Sequence, residues 1–141
     1  MALRAVKPQA IEKRLKALFY GPAGVGKTTA SIQFPKPYLI DTEKGAENDQ
    51  YIKILEKNDG AIFQTTDFHE LLAEVKALLT EKHPYKTLII DPLTTLYNDL
   101  LDKSAIKNGT EFGKHYNEAN KQVKHLLTLL TRLDMNVIIT S

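Results

Sequence analysis

The chain has 141 residues, of which 43% are hydrophobic, and carries a formal net charge of +2 at neutral pH. This length corresponds to one domain with a buried core, and so weak a charge does not by itself indicate a nucleic-acid-binding protein. Because the chain contains no cysteine, disulfides and thiolate metal sites are excluded.

The first segment in chain order, residues 1–14, is a basic N-terminal segment. Residues 1–16 hold five Lys or Arg against one Glu, a bias that is most often a solvated surface. The segment lacks the apolar stretch of a secretory signal, and no apolar run in the chain approaches the length of about 20 residues that spans a membrane. We therefore predict a cytoplasmic protein without a membrane partner, whose domain comprises residues 15–141.

From residue 15 onward, short apolar runs rich in β-branched residues alternate with segments of helical period. This alternation predicts an α/β fold in which a mostly parallel sheet is sandwiched by helices. Several of the runs are too apolar for a strand with an exposed face. The predicted strands are Leu15–Tyr20, Pro37–Asp41, Ala61–Thr65, Thr87–Asp91 and Asn136–Thr140.

Leucine repeats at helical spacing lie between the later strands and indicate core packing. The helix after the first strand must be short, because Pro35-Lys36-Pro37 ends it. Asp67 and Glu70 have the spacing of a capping box. Residues Lys107–Tyr116 carry two glycines, basic side chains and two aromatics between leucine-rich helices, so we predict a mobile surface loop there.

The stretch GPAGVGKT fits the phosphate-binding pattern G-x-x-x-x-G-K-[ST] and directly follows the first predicted strand. Its glycines let backbone N–H groups approach phosphate oxygens, and Lys27 should reach the β- and γ-phosphates. Thr28 should offer its hydroxyl to Mg²⁺. The predicted nucleotide-binding residues of this loop are Gly21, Pro22, Ala23, Gly24, Val25, Gly26, Lys27, Thr28 and Thr29.

Asp91 ends the strand LIID and is the second predicted metal residue, because ligands bind at the carboxyl ends of parallel strands. Taken alone, this aspartate would equally suit a helix N-cap. The position after it, where many ATPases carry the glutamate that positions the attacking water, is occupied by Pro92. The water-positioning carboxylate must therefore lie elsewhere.

Two glutamates remain as candidates for that carboxylate. Glu43 ends YLIDTE after the second strand, whereas the capping-box position of Glu70 already explains that residue. An ordinary solvated glutamate before a turn stays an alternative for Glu43. A small-molecule kinase would need an arginine-rich lid, but the only arginines are Arg4, Arg14 and Arg132, none in a glycine-rich loop in mid-chain.

The segments ALFYGPAGVGKTT, FPKPYLIDTE, YKTLIIDPLTTL and DMNVIITS together resemble the phage-encoded RecA-like P-loop ATPases, AAA-type nucleotide-binding proteins linked to single-strand annealing and recombination. The resemblance runs from about Leu15 to Ser141. It implies a RecA-like ATPase core in the phage or bacterial cytosol that binds ATP and Mg²⁺ and whose ATP hydrolysis is stimulated by DNA. The family has further strands and a second DNA-binding loop, so we expect a chain truncated after Ser141.

Carried onto this sequence, the resemblance implies that Glu43 orients the attacking water and acts with Lys27 as a catalytic residue. It aligns Tyr51 with an adenine-stacking aromatic, but only through a one-residue gap, so core packing stays open for Tyr51. Residues Lys107–Tyr116 take the place of the first DNA-binding loop, which implies a single-stranded DNA partner; hinge packing of its aromatics stays open. The family also implies a homo-oligomer or filament.

Two other functions remain open on the sequence alone. One is a nucleotide-binding and assembly module with little hydrolysis. The other, disfavoured by the missing lid, is a small-molecule P-loop kinase.

Overall fold

The computed structural model describes residues 3–8, 14–22, 24–43 and 49–141 and shows one parallel sheet of five strands flanked by helices. This confirms the predicted α/β fold. Every strand end lies within one residue of its prediction. The strands are β1 (Lys16–Phe19), β2 (Pro37–Asp41), β3 (Ala61–Gln64), β4 (Thr87–Asp91) and β5 (Asn136–Thr140).

The strands lie side by side in the order β1-β5-β4-β2-β3, and every neighbouring pair is parallel. All carboxyl ends therefore meet at one edge of the sheet. At that edge Asp41 is in register with Asp91, and Phe19 with Thr140. The last residues of four different strands are thus brought to the same edge, although they are far apart in sequence.

Five helices connect the strands of the described chain. The first is only five residues long, as the proline pair predicted, and β2 begins directly at Pro37. The helices are α1 (Lys27–Ser31), α2 (Asp49–Lys57), α3 (Phe68–Thr80), α4 (Leu93–Asn108) and α5 (Lys114–Arg132), with a 3-10 turn at Glu111–Gly113. Within the part of the chain that the structure describes, no helix has the length and apolarity needed to cross a membrane.

The sheet has a hydrophobic core on each face, because successive strand residues point to opposite sides. On one face Ile40, Leu88 and Ile90 pack against α3, α4 and α5, and on the other Leu39 and Ile89 pack beside helices α1 and α2. All five of these strand side chains are fully buried, and each such burial contributes roughly 2 kcal/mol. The two cores fix the positions of the strands, and so of the residues at their carboxyl ends.

The start of α3 fits only half of the predicted capping box. Asp67 is the N-cap and accepts a hydrogen bond from His69 N at 2.8 Å, as predicted. The reciprocal bond differs: Asp67 N donates to Thr65 Oγ1 at 3.0 Å, and that hydroxyl donates to Glu70 Oε2 at 2.5 Å. The Thr65 hydroxyl therefore bridges the Asp67 backbone N–H and the Glu70 carboxylate, and it holds that carboxylate at the start of α3.

The connection between α4 and α5 is shorter than predicted, so the predicted extent of the Lys107–Tyr116 loop is wrong. Lys107 and Asn108 end α4, Lys114–Tyr116 form the first turn of α5, and only residues 109–113 lie between the helices. Both Lys107, at 3.3 Å, and Asn108 contact Glu118, and these contacts tie the two helices together. The tip of the connection carries Phe112, which is 98% exposed.

Candidate functional site

The loop between β1 and α1 takes a conformation that requires glycine. Gly24 and Gly26 have φ values of +84° and +96°, which side-chain-bearing residues rarely adopt. A Cβ added at either position would meet nothing within 4 Å, so the backbone conformation and not crowding demands glycine there. The space above the loop is therefore open, as a cradle for phosphate oxygens needs. Ala23, also predicted to bind the nucleotide, lies outside the described residues.

Lys27 lies across this cradle. Its Nζ donates hydrogen bonds to Gly21 O at 2.5 Å and to Ser141 O at 2.7 Å, and so joins the start of the loop to the end of β5. Both acceptors are main-chain oxygens, and neither belongs to a side chain. Since hydrogen bonds to ionised partners are roughly twice as strong as neutral ones, a phosphate placed here would compete well for the lysine.

Asp91 is the centre of the polar contacts at this edge. Its Oδ2 accepts from Thr28 Oγ1 and its Oδ1 from Thr140 Oγ1, each at 2.5 Å. The three side chains come from the loop helix α1 and the ends of β4 and β5. Thr140 is fully buried, so its hydroxyl is fixed on the carboxylate. The arrangement places hydroxyl and carboxylate oxygens together, which are the ligands that Mg²⁺ prefers in proteins.

The end of β2 is joined to the end of β4 by backbone and side-chain contacts. Thr42 N donates to Asp91 O at 3.0 Å, and Thr42 Oγ1 donates to Pro92 O at 2.8 Å. The next residue, Glu43, donates its own N–H to Asp41 Oδ1 at 3.2 Å. The Glu43 side chain is exposed, and its Oε1 accepts from Thr95 Oγ1 at 3.1 Å. Glu43 is thereby held next to the Asp91 strand end.

These residues surround one pocket of about 480 Å³, within the range of sites for small ligands. Gly21, Pro22 and Val25 belong to the loop without lining the pocket. The lining comprises Gly24, Gly26, Lys27, Thr28, Thr29, Glu43, Tyr51, Asp91, Pro92, Thr94, Thr140 and Ser141. The structure thus brings together most of the predicted nucleotide, metal and catalytic residues.

The structure also places Tyr51 and the rival glutamate Glu70. Tyr51 lies on α2, lines the pocket and also packs against the core beside Ile32 and Leu39, so both interpretations suit its position. Glu70 does not line this pocket; it borders a separate hollow with Asp41 and Thr65. Of the two candidate glutamates, only Glu43 faces the loop.

Sequence reasoning did not single out the hydroxyls of Thr94, Thr95 and Thr140. Thr95 and Thr140 contact predicted site residues, and Thr94 and Thr140 line the pocket. A signal for them existed: each lies just after Asp91 or at the tip of the last strand, where ligands of a parallel sheet bind. Naming them would have required the strand order, which the pattern of apolar runs does not contain.

A divalent cation at Asp91 would depend on oxygens from outside the protein as well. The described residues contain no group of three or more His, Cys, Asp or Glu able to hold a metal. Thr28 and Asp91 offer two oxygen ligands, and Mg²⁺ in nucleotide sites is commonly held by one or two protein ligands together with phosphate oxygens. The donor set therefore fits Mg²⁺ that arrives with a nucleotide.

Comparison with protein families gives a match. A protein-family model described as an AAA domain matches residues 13–141. A search of the curated proteins finds no match. The matched range contains the glycine loop, the five described strands, Glu43 and Asp91.

Proposed function

Because the family model covers residues 13–141, the chain belongs to the AAA domain family of nucleotide-binding ATPases, and we propose that it is a RecA-like, Mg²⁺-dependent ATPase. The observation that carries the proposal is the contact of Thr28 with Asp91 beside Lys27 and Glu43 in one pocket. The residues proposed as phosphate cradle, metal ligands and water-positioning carboxylate then lie together at one edge of the sheet. None of them has to move in from another part of the chain.

In the proposed complex, the loop and Lys27 bind the phosphates of ATP. Backbone N–H groups of the loop face the phosphate oxygens, and the Lys27 ammonium leaves its two backbone acceptors for the β- and γ-phosphates. Tyr51 lies at the pocket wall, where it would contact the base. Thr28 and Asp91 hold Mg²⁺, which when bound neutralises charge on the phosphate oxygens.

Glu43 is the proposed base for hydrolysis. Its carboxylate accepts a proton from a water molecule as the water oxygen bonds to the γ-phosphorus. The bond from that phosphorus to the β-phosphate oxygen breaks in line, and ADP and inorganic phosphate leave. Holding water and phosphate in this geometry supplies most of the rate acceleration, since the protein forms no covalent bond itself.

We further propose that this ATPase acts in phage DNA recombination or single-strand annealing, in the phage or bacterial cytosol, as a homo-oligomer or filament. The proposed DNA contact is the connection after α4. There Phe112 and Ile106 are 98% and 86% exposed, and Tyr116 is 48% exposed. Exposed aromatics beside positive charge are what binders of single strands use, because bases stack on the rings.

Two of the lysines around this connection are paired with carboxylates of the protein. Lys103 pairs with Asp67 and Asp99, at 3.3 and 3.0 Å, and Lys107 pairs with Glu118 at 3.3 Å. Hydrogen bonds from Asn108 and then Lys107 also lower the pKa of Glu118, which keeps its negative charge in place. The exposed lysines of α5, namely Lys114, Lys121 and Lys124, are therefore the better candidates for phosphate contacts.

Replacing Phe112 by alanine is expected to weaken binding of a fluorescent oligothymidylate by about tenfold, because one base–aromatic stack is lost. Anisotropy titration in the presence of a non-hydrolysable ATP analogue measures the change. Leu127→Ala, which removes an exposed apolar side chain from α5, serves as the control and should bind like wild type. Equal affinity of Phe112→Ala and wild type would place the DNA contact, if there is one, elsewhere.

Phosphate release from ATP by the wild-type protein, with Mg²⁺ and then with EDTA, tests the ATPase itself. Release that requires Mg²⁺ supports the proposal. Binding of ATP without release, unaffected by single-stranded DNA, would favour a nucleotide-binding module that only assembles with partners. Transfer of the γ-phosphate to an acceptor metabolite would instead identify a kinase.

A further inference from the structure

A hydrogen bond outside the phosphate loop holds the Glu43 side chain. Thr95 Oγ1 donates to Glu43 Oε1 at 3.1 Å. Thr95 is the third residue of α4, so this bond links the end of β2 to the first turn of that helix. The Glu43 side chain is exposed, and an exposed glutamate must lose most of its rotamer freedom before it can hold one orientation.

The backbone around Glu43 is already fixed by other contacts. Thr42, which is 2% exposed, bonds to Asp91 O and Pro92 O, and Glu43 N bonds to Asp41 Oδ1. What these contacts leave free is the direction of the carboxylate at the end of the side chain. The hydrogen bond from the Thr95 hydroxyl restricts that direction.

We propose that Thr95 is a positioning residue that aims the Glu43 carboxylate at the attacking water, an inference that rests on the proposed role of Glu43. The hydroxyl holds Oε1, and Oε2 is left to accept the proton of the water. Thr95 follows Asp91 by only four positions on the continuous β4–α4 segment. The same segment therefore places both the metal-binding carboxylate and the carboxylate that orients the water.

Turnover of Thr95→Val tests this inference, because valine keeps the shape of threonine and removes the hydroxyl. We expect kcat for Mg²⁺–ATP to fall about tenfold, the factor that corresponds to losing one hydrogen bond to a charged group, with KM within about twofold of wild type. Thr95→Ser keeps the hydroxyl and should restore kcat to within about twofold of wild type. Thr128→Val, at an exposed threonine of α5 whose hydroxyl donates to Lys124 O, is the matched control.

A double variant separates failure of this inference from failure of the proposed function. If Thr95 acts through Glu43, adding Thr95→Val to Glu43→Gln lowers kcat no further. A full additional loss in the double variant, or wild-type kcat in Thr95→Val while Glu43→Gln is impaired, would overturn the positioning role alone. Undiminished turnover in Glu43→Gln would remove the base role of Glu43 and, with it, the inference about Thr95, while the ATPase function would stand. A wild-type protein that binds ATP without releasing phosphate would remove the proposed function as well.

Discussion

Replacing Lys27 by alanine is expected to weaken ATP binding about 100-fold, because in the proposed complex the ammonium makes two charge-assisted contacts with the phosphates and no other basic side chain among the described residues lines the pocket. In the free protein its partners are the main-chain oxygens of Gly21 and Ser141. Losing those two contacts should lower the free energy of unfolding only slightly. The affinity change is therefore expected without a matching loss of thermal stability, and titration with a fluorescent ATP analogue measures it.

Lys76→Ala is the matched control for this prediction, since it removes an exposed lysine from the middle of α3. It should bind ATP like wild type. If Lys27→Ala also binds within about twofold of wild type, the phosphates do not lie on the glycine loop, and the site assignment fails. A Lys27→Ala protein that no longer unfolds cooperatively would require Lys27→Met, which keeps most of the side-chain length.

Replacing Glu43 by glutamine should lower kcat for ATP hydrolysis by at least about 100-fold, the usual contribution of a positioned general base. The amide has nearly the same shape, still accepts a hydrogen bond from Thr95 and cannot take the proton of the water. Because the glycine loop, Lys27 and the metal ligands stay intact, ATP affinity should remain close to that of wild type. Phosphate release and ATP binding, measured on the same protein, separate the two effects.

Glu70→Gln is the control, because Glu70 is the other glutamate near the strand ends and lies outside the pocket. Its amide oxygen can still accept the Thr65 hydroxyl. Wild-type turnover is expected. Loss of turnover in Glu70→Gln together with full activity in Glu43→Gln would exchange the roles of the two residues.

The strands and the phosphate loop were predictable because they depend on local patterns. β4 and β5 are apolar runs whose side chains pack on both faces of the sheet. A continuous apolar run of this length is typical of a strand that is covered by helices on both faces. The loop was recognisable because glycine is needed where φ is positive, as at Gly24 and Gly26. Pro92 was informative too, because it occupies the position after Asp91 where many ATPases carry the water-positioning glutamate.

What sequence reasoning missed depends on contacts between distant segments. Thr140 and Asp91 are 49 positions apart, and Thr95 and Glu43 are 52 apart. Their pairing follows from the strand order, in which β4 lies between β5 and β2. The length of the Lys107–Tyr116 loop was overestimated for the same reason. Lys107 and Asn108 are the last residues of α4, and their side chains contact Glu118 on the next helix. Local composition did not reveal that contact.

A crystal structure with Mg²⁺ and a non-hydrolysable ATP analogue tests most directly whether these strand ends form an ATP-hydrolysing site. We expect Lys27 Nζ on the β- and γ-phosphates, Mg²⁺ on Thr28 Oγ1 with Asp91 bound directly or through one water, and the Glu43 carboxylate within roughly 6 Å of the γ-phosphorus, one bridging water away. A triphosphate bound away from the glycine loop, or a Glu43 carboxylate turned away from the γ-phosphate and replaced there by another base, would contradict the account.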